Sequence, residues 1–136
     1  MSELLTLLDK GGYSAVVESG GELRYFTQRG VADLYHLYIN EPYALQGARV
    51  ADKVVGKGAA ALMVAGGVKS LSTHTISRGG YELLTSHGVE VECGEMVDHI
   101  INRSGDGWCP VESLCRETDD VETIIEKIKK IIEKQK

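Results

Sequence analysis

The clearest periodicity of apolar positions lies near the end of the chain. Val121, Ile124, Ile125, Ile128, Ile131 and Ile132 fall on one side of a helix, with glutamates and lysines between them. Asp119, with Glu122 three residues on, resembles a capping box, and lysines crowd the far end, where the macrodipole favours them. Such a stripe cannot stay in water. It is core or a dimer seam rather than a cofactor box, and the expectation is that it packs on its own domain, a homodimer using only its edge.

Upstream, the pattern alternates between helical and extended segments. Leucines at 4, 5, 7 and 8 mark a helix over Ser2–Lys10, stopped by Gly11-Gly12. Tyr13–Glu18 and Glu22–Gln28 are β-rich runs joined through Ser19-Gly20-Gly21, which reads as a hairpin. Val31, Leu34, Tyr35 and Tyr38 share a helical face, and Pro42 ends that segment. Ala48–Ala51 fits a short buried strand, and the following stretch from Asp52 to the stop at Gly66-Gly67 is expected to be a helix despite its interior glycines. Val68–Thr75 reads as a strand, Ser77–Ser86 as a helix ended by His87-Gly88, and Val89–Cys93 as a half-exposed strand with period two. Pro110–Glu117 is one more short helix.

Strand–helix–strand stretches imply parallel pairs with helical crossovers, and the hairpin adds an antiparallel pair. The expected fold is therefore α/β: a three-layer α/β/α sandwich on a mixed five-stranded sheet. One domain covers residues 1–136, with 102–136 as a C-terminal extension.

Composition narrows the function classes. The 136 residues are 43% hydrophobic, too many for a disordered chain, and no apolar run reaches the length of a membrane span. No signal peptide is read at the N-terminus. A formal charge of −5, with the one lysine cluster diluted by Glu122, Glu126 and Glu133, argues against a nucleic-acid partner. The 3 cysteines, Cys93, Cys109 and Cys115, read as reduced thiols, and the expected location is cytoplasmic.

Two segments carry candidate chemistry. If a helix starts near Asp52 at the carboxyl end of a parallel strand, its free N–H groups and partial positive charge suit an anion. Lys53 and Lys57 would share a face of that helix and add charge, while Gly56 would allow close packing. The plainer alternative makes Asp52 a helix cap and leaves the lysines solvated. A phosphate-loop motif fails here, because Ala51 and Gly58 stand where glycine and a hydroxyl are needed. In the second segment Pro110 suits the first position of a helix, which makes Cys109 its N-cap and Glu112 its N3 residue. A thiol at a helix start is biased towards thiolate. Cys109, Glu112 and Lys57 are thus the candidate catalytic residues, against the alternative of a structural cysteine beside a capping-box glutamate. The expected pocket is lined by Asp52, Lys53, Gly56 and Lys57, with Asn102 and Arg103 of the 102–112 segment as further ligand-binding candidates. His74, among the hydroxyls of Ser72, Thr73 and Thr75, is a weaker candidate.

Gly47–Ala60, and Asn102-Arg103 followed by Cys109-Pro110-Val111-Glu112, together resemble a prokaryotic family known as domain of unknown function 1893. The resemblance implies an architecture similar to the cytidine deaminase fold, in which the helix after Ala51 corresponds to the one that opens with P-C-x-x-C in zinc deaminases. Their signature also requires H-x-E. No histidine here is followed two residues later by glutamate, and no C-x-x-C is present. The expectation is a small-molecule-binding or enzymatic domain of deaminase-like fold with no metal and no cofactor. The alternative is a non-catalytic regulatory or interaction module.

Overall fold

In the computed structural model, residues 3–27, 31–100, 110–115 and 117–134 are described. Helix α1 (Glu3–Gly11) precedes strands β1 (Ala15–Ser19) and β2 (Glu22–Phe26). They are joined through Gly20 and Gly21, whose φ values of 59° and 86° supply the left-handed backbone of a two-residue hairpin turn. Helix α2 (Ala32–Asn40) and a 3-10 turn at Pro42–Ala44 lead to β3 (Arg49–Val55), α3 (Lys57–Gly66), β4 (Ser70–Ser77), α4 (Arg78–Ser86) and β5 (Glu90–Val97). The short α5 (Pro110–Cys115) and the long α6 (Val121–Lys134) follow.

These strands form one mixed five-stranded sheet in the order β2-β1-β3-β4-β5. β1 pairs antiparallel with both β2 and β3, while β3, β4 and β5 run parallel. This is the α/β class expected from the element order.

The two faces of the sheet are covered unequally. Leu4, Leu5 and Leu8 of α1 pack against Val16 and Ala51 on one face. Their neighbours Val17 and Val50 point the other way, into the main core, with Leu34, Leu62, Met63, Leu84, Ile124 and Ile128. α3 lies at the centre of that layer, and Ala60, Ala61, Leu62 and Met63 are fully buried. Gly66 lets it press against the 3-10 turn, since a Cβ there would sit 2.6 Å from the Leu45 side chain. α6 inserts Ile124, Ile128 and Ile132 into the same core. The isoleucine stripe therefore docks on its own domain.

Two expectations of local structure are corrected. β3 continues through Asp52, Lys53, Val54 and Val55, so the helix begins five residues after Asp52, at Lys57. The paired β-branched Val54-Val55 extend the strand, and Gly56 is the residue that breaks it. At α6 the cap is Asp120 rather than Asp119: the Asp120 carboxylate accepts the Thr123 N–H at 3.0 Å.

Candidate functional site

One residue of each strand lines up across the sheet, midway along the parallel strands: Phe26, Ala15, Asp52, Thr73 and Cys93 are successive partners. Alternation places this row on the face covered by the main helix layer, because Ala51 and Val16 face α1. Immediately beyond the row, strand regularity lapses. Val50 and Val55, and their partners Leu71 and Ile76, all enter the same core although each pair is separated by an odd number of positions. The strands therefore change facing between these levels, and the Thr73 hydroxyl takes up the slack by donating to the carbonyls of Lys53 at 3.3 Å and Thr75 at 3.1 Å.

Asp52 stands at the centre of the row. It is half-buried, and its carboxyl accepts the Val54 N–H at 3.4 Å. Burial pushes its pKa up to about 8, against which the N–H groups of Val54 and Lys53 pull only in part. Burial thus favours the protonated carboxyl, while part of the residue keeps contact with solvent. Asp52 is not a helix cap, and Lys53 is an exposed strand residue that shares no helical face with Lys57.

At the end of β3 the chain turns into α3 through Gly56, an N-cap with no side chain to offer. The first N–H of the helix, that of Lys57, is instead satisfied by Glu112 of α5, whose Oε1 accepts it at 2.8 Å. The same oxygen accepts the Ser77 hydroxyl at 3.5 Å, and Oε2 accepts the Ile100 N–H at 2.6 Å. Ser77 is itself the N-cap of α4, accepting the Gly80 N–H at 3.1 Å. Glu112 and Lys57 are both buried, and the Lys57 ammonium reaches Asp119 at 2.6 Å.

Among the sequence candidates, Gly56, Lys57 and Glu112 come together, with Asp52 further down the same strand. Glu112, expected as the N3 residue of its own helix, accepts the first N–H of α3; the expected capping box with Cys109 lies outside the described residues. Asn102, Arg103 and Cys109 lie outside the described residues. His74 points elsewhere and binds the Asp9 carboxylate of α1 at 2.8 Å. Ser77 and Thr73 were not singled out for the site; the signal for Ser77 is its place before the Arg78-Gly79-Gly80 helix start. Among the described residues, no group of three metal-ligating side chains is placed to hold an ion. No helix among them is long and apolar enough to cross a membrane.

An open mixed sheet flanked by helices, with two helix starts converging at the carboxyl ends of its parallel strands, defines an α/β protein. Residues 3–132 match the family described as a domain of unknown function, DUF1893, and the chain belongs to it. It is similar to a solved DUF1893 family protein, TM1506 of Thermotoga maritima, at 25% identity and a TM-score of 0.84, covering 94% of this chain and 90% of that one. Comparison with curated proteins gives no match.

Proposed function

We propose that this chain is a metal-independent small-molecule-binding domain, or an enzyme built on that binding, whose pocket opens at the carboxyl ends of β3 and β4. The observation that carries this reading is Asp52. An acidic residue on the helix-covered face of a sheet, half-buried yet reached by solvent, supports the reading of a pocket in the layer above it. Its pKa near 8 lets the carboxyl donate a hydrogen bond, or exchange a proton near neutral pH, as ligand-binding and catalytic carboxyls do. Lys57, Glu112 and Ser77 bound the same end of the sheet, and Asn102, Arg103 and Cys109 are proposed to complete the lining.

We further propose a cytidine-deaminase-like fold. Support comes from the element order and from α3, which follows the first parallel strand as the P-C-x-x-C helix does in zinc deaminases but opens with Gly56-Lys57-Gly58. One observation favours the alternative of a non-catalytic module: the donors at the start of α3 are already occupied by the chain's own Glu112. A thermal-shift screen of small polar metabolites separates the two. A ligand that stabilises the wild type and loses its effect in Asp52→Asn supports the pocket. A screen with no stabilising compound, or a ligand indifferent to Asp52→Asn, favours the interaction module.

A further inference from the structure

β2 is one edge of the sheet, and among the described residues no further strand pairs with it. The two-residue turn at Gly20-Gly21 closes on the pair Ser19 and Glu22, so Glu22, Arg24 and Phe26 direct their backbone hydrogen-bonding groups at β1. Those of Leu23 and Tyr25 point outwards from the edge. Both side chains are exposed, at 42% and 43%. They lie on the α1 face, since Tyr25 is the partner of buried Val16 and its ring centroid is 4.6 Å from that of Tyr13. The other face of the strand carries Glu22 and Arg24, whose side chains meet at 3.3 Å.

The two edges of the sheet differ in charge. β5 holds Glu90, Glu92 and Glu95 and no basic residue, so a second copy laid along it would set carboxylate against carboxylate. β2 carries one charge of each sign, with no proline or lysine to deter pairing. The α6 stripe is no rival surface, because Ile124, Ile128 and Ile132 are buried in the core.

We propose that β2 pairs antiparallel with β2 of a second copy about a two-fold axis, joining the two five-stranded sheets into one. The outward backbone groups admit the registers in which Leu23 faces Leu23, Leu23 faces Tyr25 or Tyr25 faces Tyr25. Charge selects among them. Leu23 against itself brings each Glu22 opposite Arg24 of the second copy, and the four side chains make a ring of alternating sign on one face. Leu23 against Tyr25 sets Arg24 opposite Arg24, and Tyr25 against itself gives Arg24 no carboxylate opposite. In the selected register each Tyr25 comes opposite Gly21, around whose Cβ position no atom lies within 4 Å. On the α1 face the paired leucines are then flanked by the two tyrosines. Such a contact uses the same strand of both copies and closes at the dimer. Neither the pocket at the strand ends nor its ligand is needed for it.

Sedimentation of the full chain is the test. The wild type should be a dimer, and Leu23→Lys a monomer that still melts cooperatively. Glu22→Arg and Arg24→Glu should each weaken self-association roughly tenfold or more, because like charges then meet across the axis. An equimolar mixture of those two variants restores both opposite-charge pairs and should recover the dimer. Leu23→Cys should form an intermolecular disulfide under mild oxidation, since directly opposed, hydrogen-bonded residues of an antiparallel pair have Cα atoms about 5.5 Å apart. A monomeric wild type, a dimer that Leu23→Lys leaves intact, or variants that do not recover on mixing overturns the proposal. If Arg24→Glu fails to fold, through loss of its tie to Glu41, the Leu23→Cys crosslink decides the register, and its absence overturns the proposal.

Discussion

Asp52 and Glu112 are both acidic, and their surroundings offer them different numbers of hydrogen-bond donors. Glu112 meets donors on each oxygen, whereas Asp52 has little beyond backbone N–H groups of its own strand, and burial wins. The sign of the consequence follows from linkage. A carboxyl whose pKa is raised on folding binds its proton more tightly in the native state, so its contribution is fully present below about pH 4 and is lost as pH rises towards 8. The slope is at most about 1.4 kcal/mol per pH unit. Asp52→Asn should flatten the decline in stability between pH 5 and 8, as chemical denaturation at several pH values would show; an unchanged slope would mean that the carboxyl is already ionised in the native state. Thiols give a second check at this scale. Cys115 is fully buried and Cys93 half-buried, so alkylation of the native protein should modify Cys93 well before Cys115, with mass spectrometry reading the order.

Element ends separate what one sequence can tell from what it cannot. The helix stops at Gly67 and Gly88 were legible because each demands a positive φ, here 82° in both cases, which glycine adopts without strain. The turn at Gly20-Gly21 was legible for the same reason. The start of α3 was misplaced because the alanines after Gly58 carry a strong helical signal that extends backwards over Val54-Val55, where β-branching and cross-strand pairing prevail. The Glu112 cap was not legible at all: it joins two segments whose proximity only the sheet topology creates. At α6 adjacent aspartates divide two tasks that the sequence pattern assigns to one. Asp120→Ala should lower the melting temperature by a few degrees through loss of the cap. Asp119→Asn should leave helix capping intact and act through Lys57, so that its effect disappears in a Lys57→Met background.

At the scale of the whole molecule, the core is lopsided. Among the described residues, α1 contributes the helical cover of one face, while α2, α3, α4 and α6 share the other. Ile124, Ile128 and Ile132 belong to that larger core, and burying each contributes roughly 1.5–3 kcal/mol. Their sum is comparable to the whole stability of a typical domain, about 5–15 kcal/mol. A chain ending at residue 118 should therefore lose its cooperative thermal transition. A sharp melt of that fragment would show that the isoleucine stripe is dispensable to the domain.

The seating of α6 and Glu112 also sets an order of events during synthesis. Every strand of the sheet, and α3 with its bare first turn, leaves the ribosome before the residues that cover and cap them. At about 5–20 residues per second, the interval is a matter of seconds. Through that time the nascent chain carries apolar strand and helix surface that α6 has yet to cover, and this is the stage at which a chaperone that binds apolar surface has most to shield.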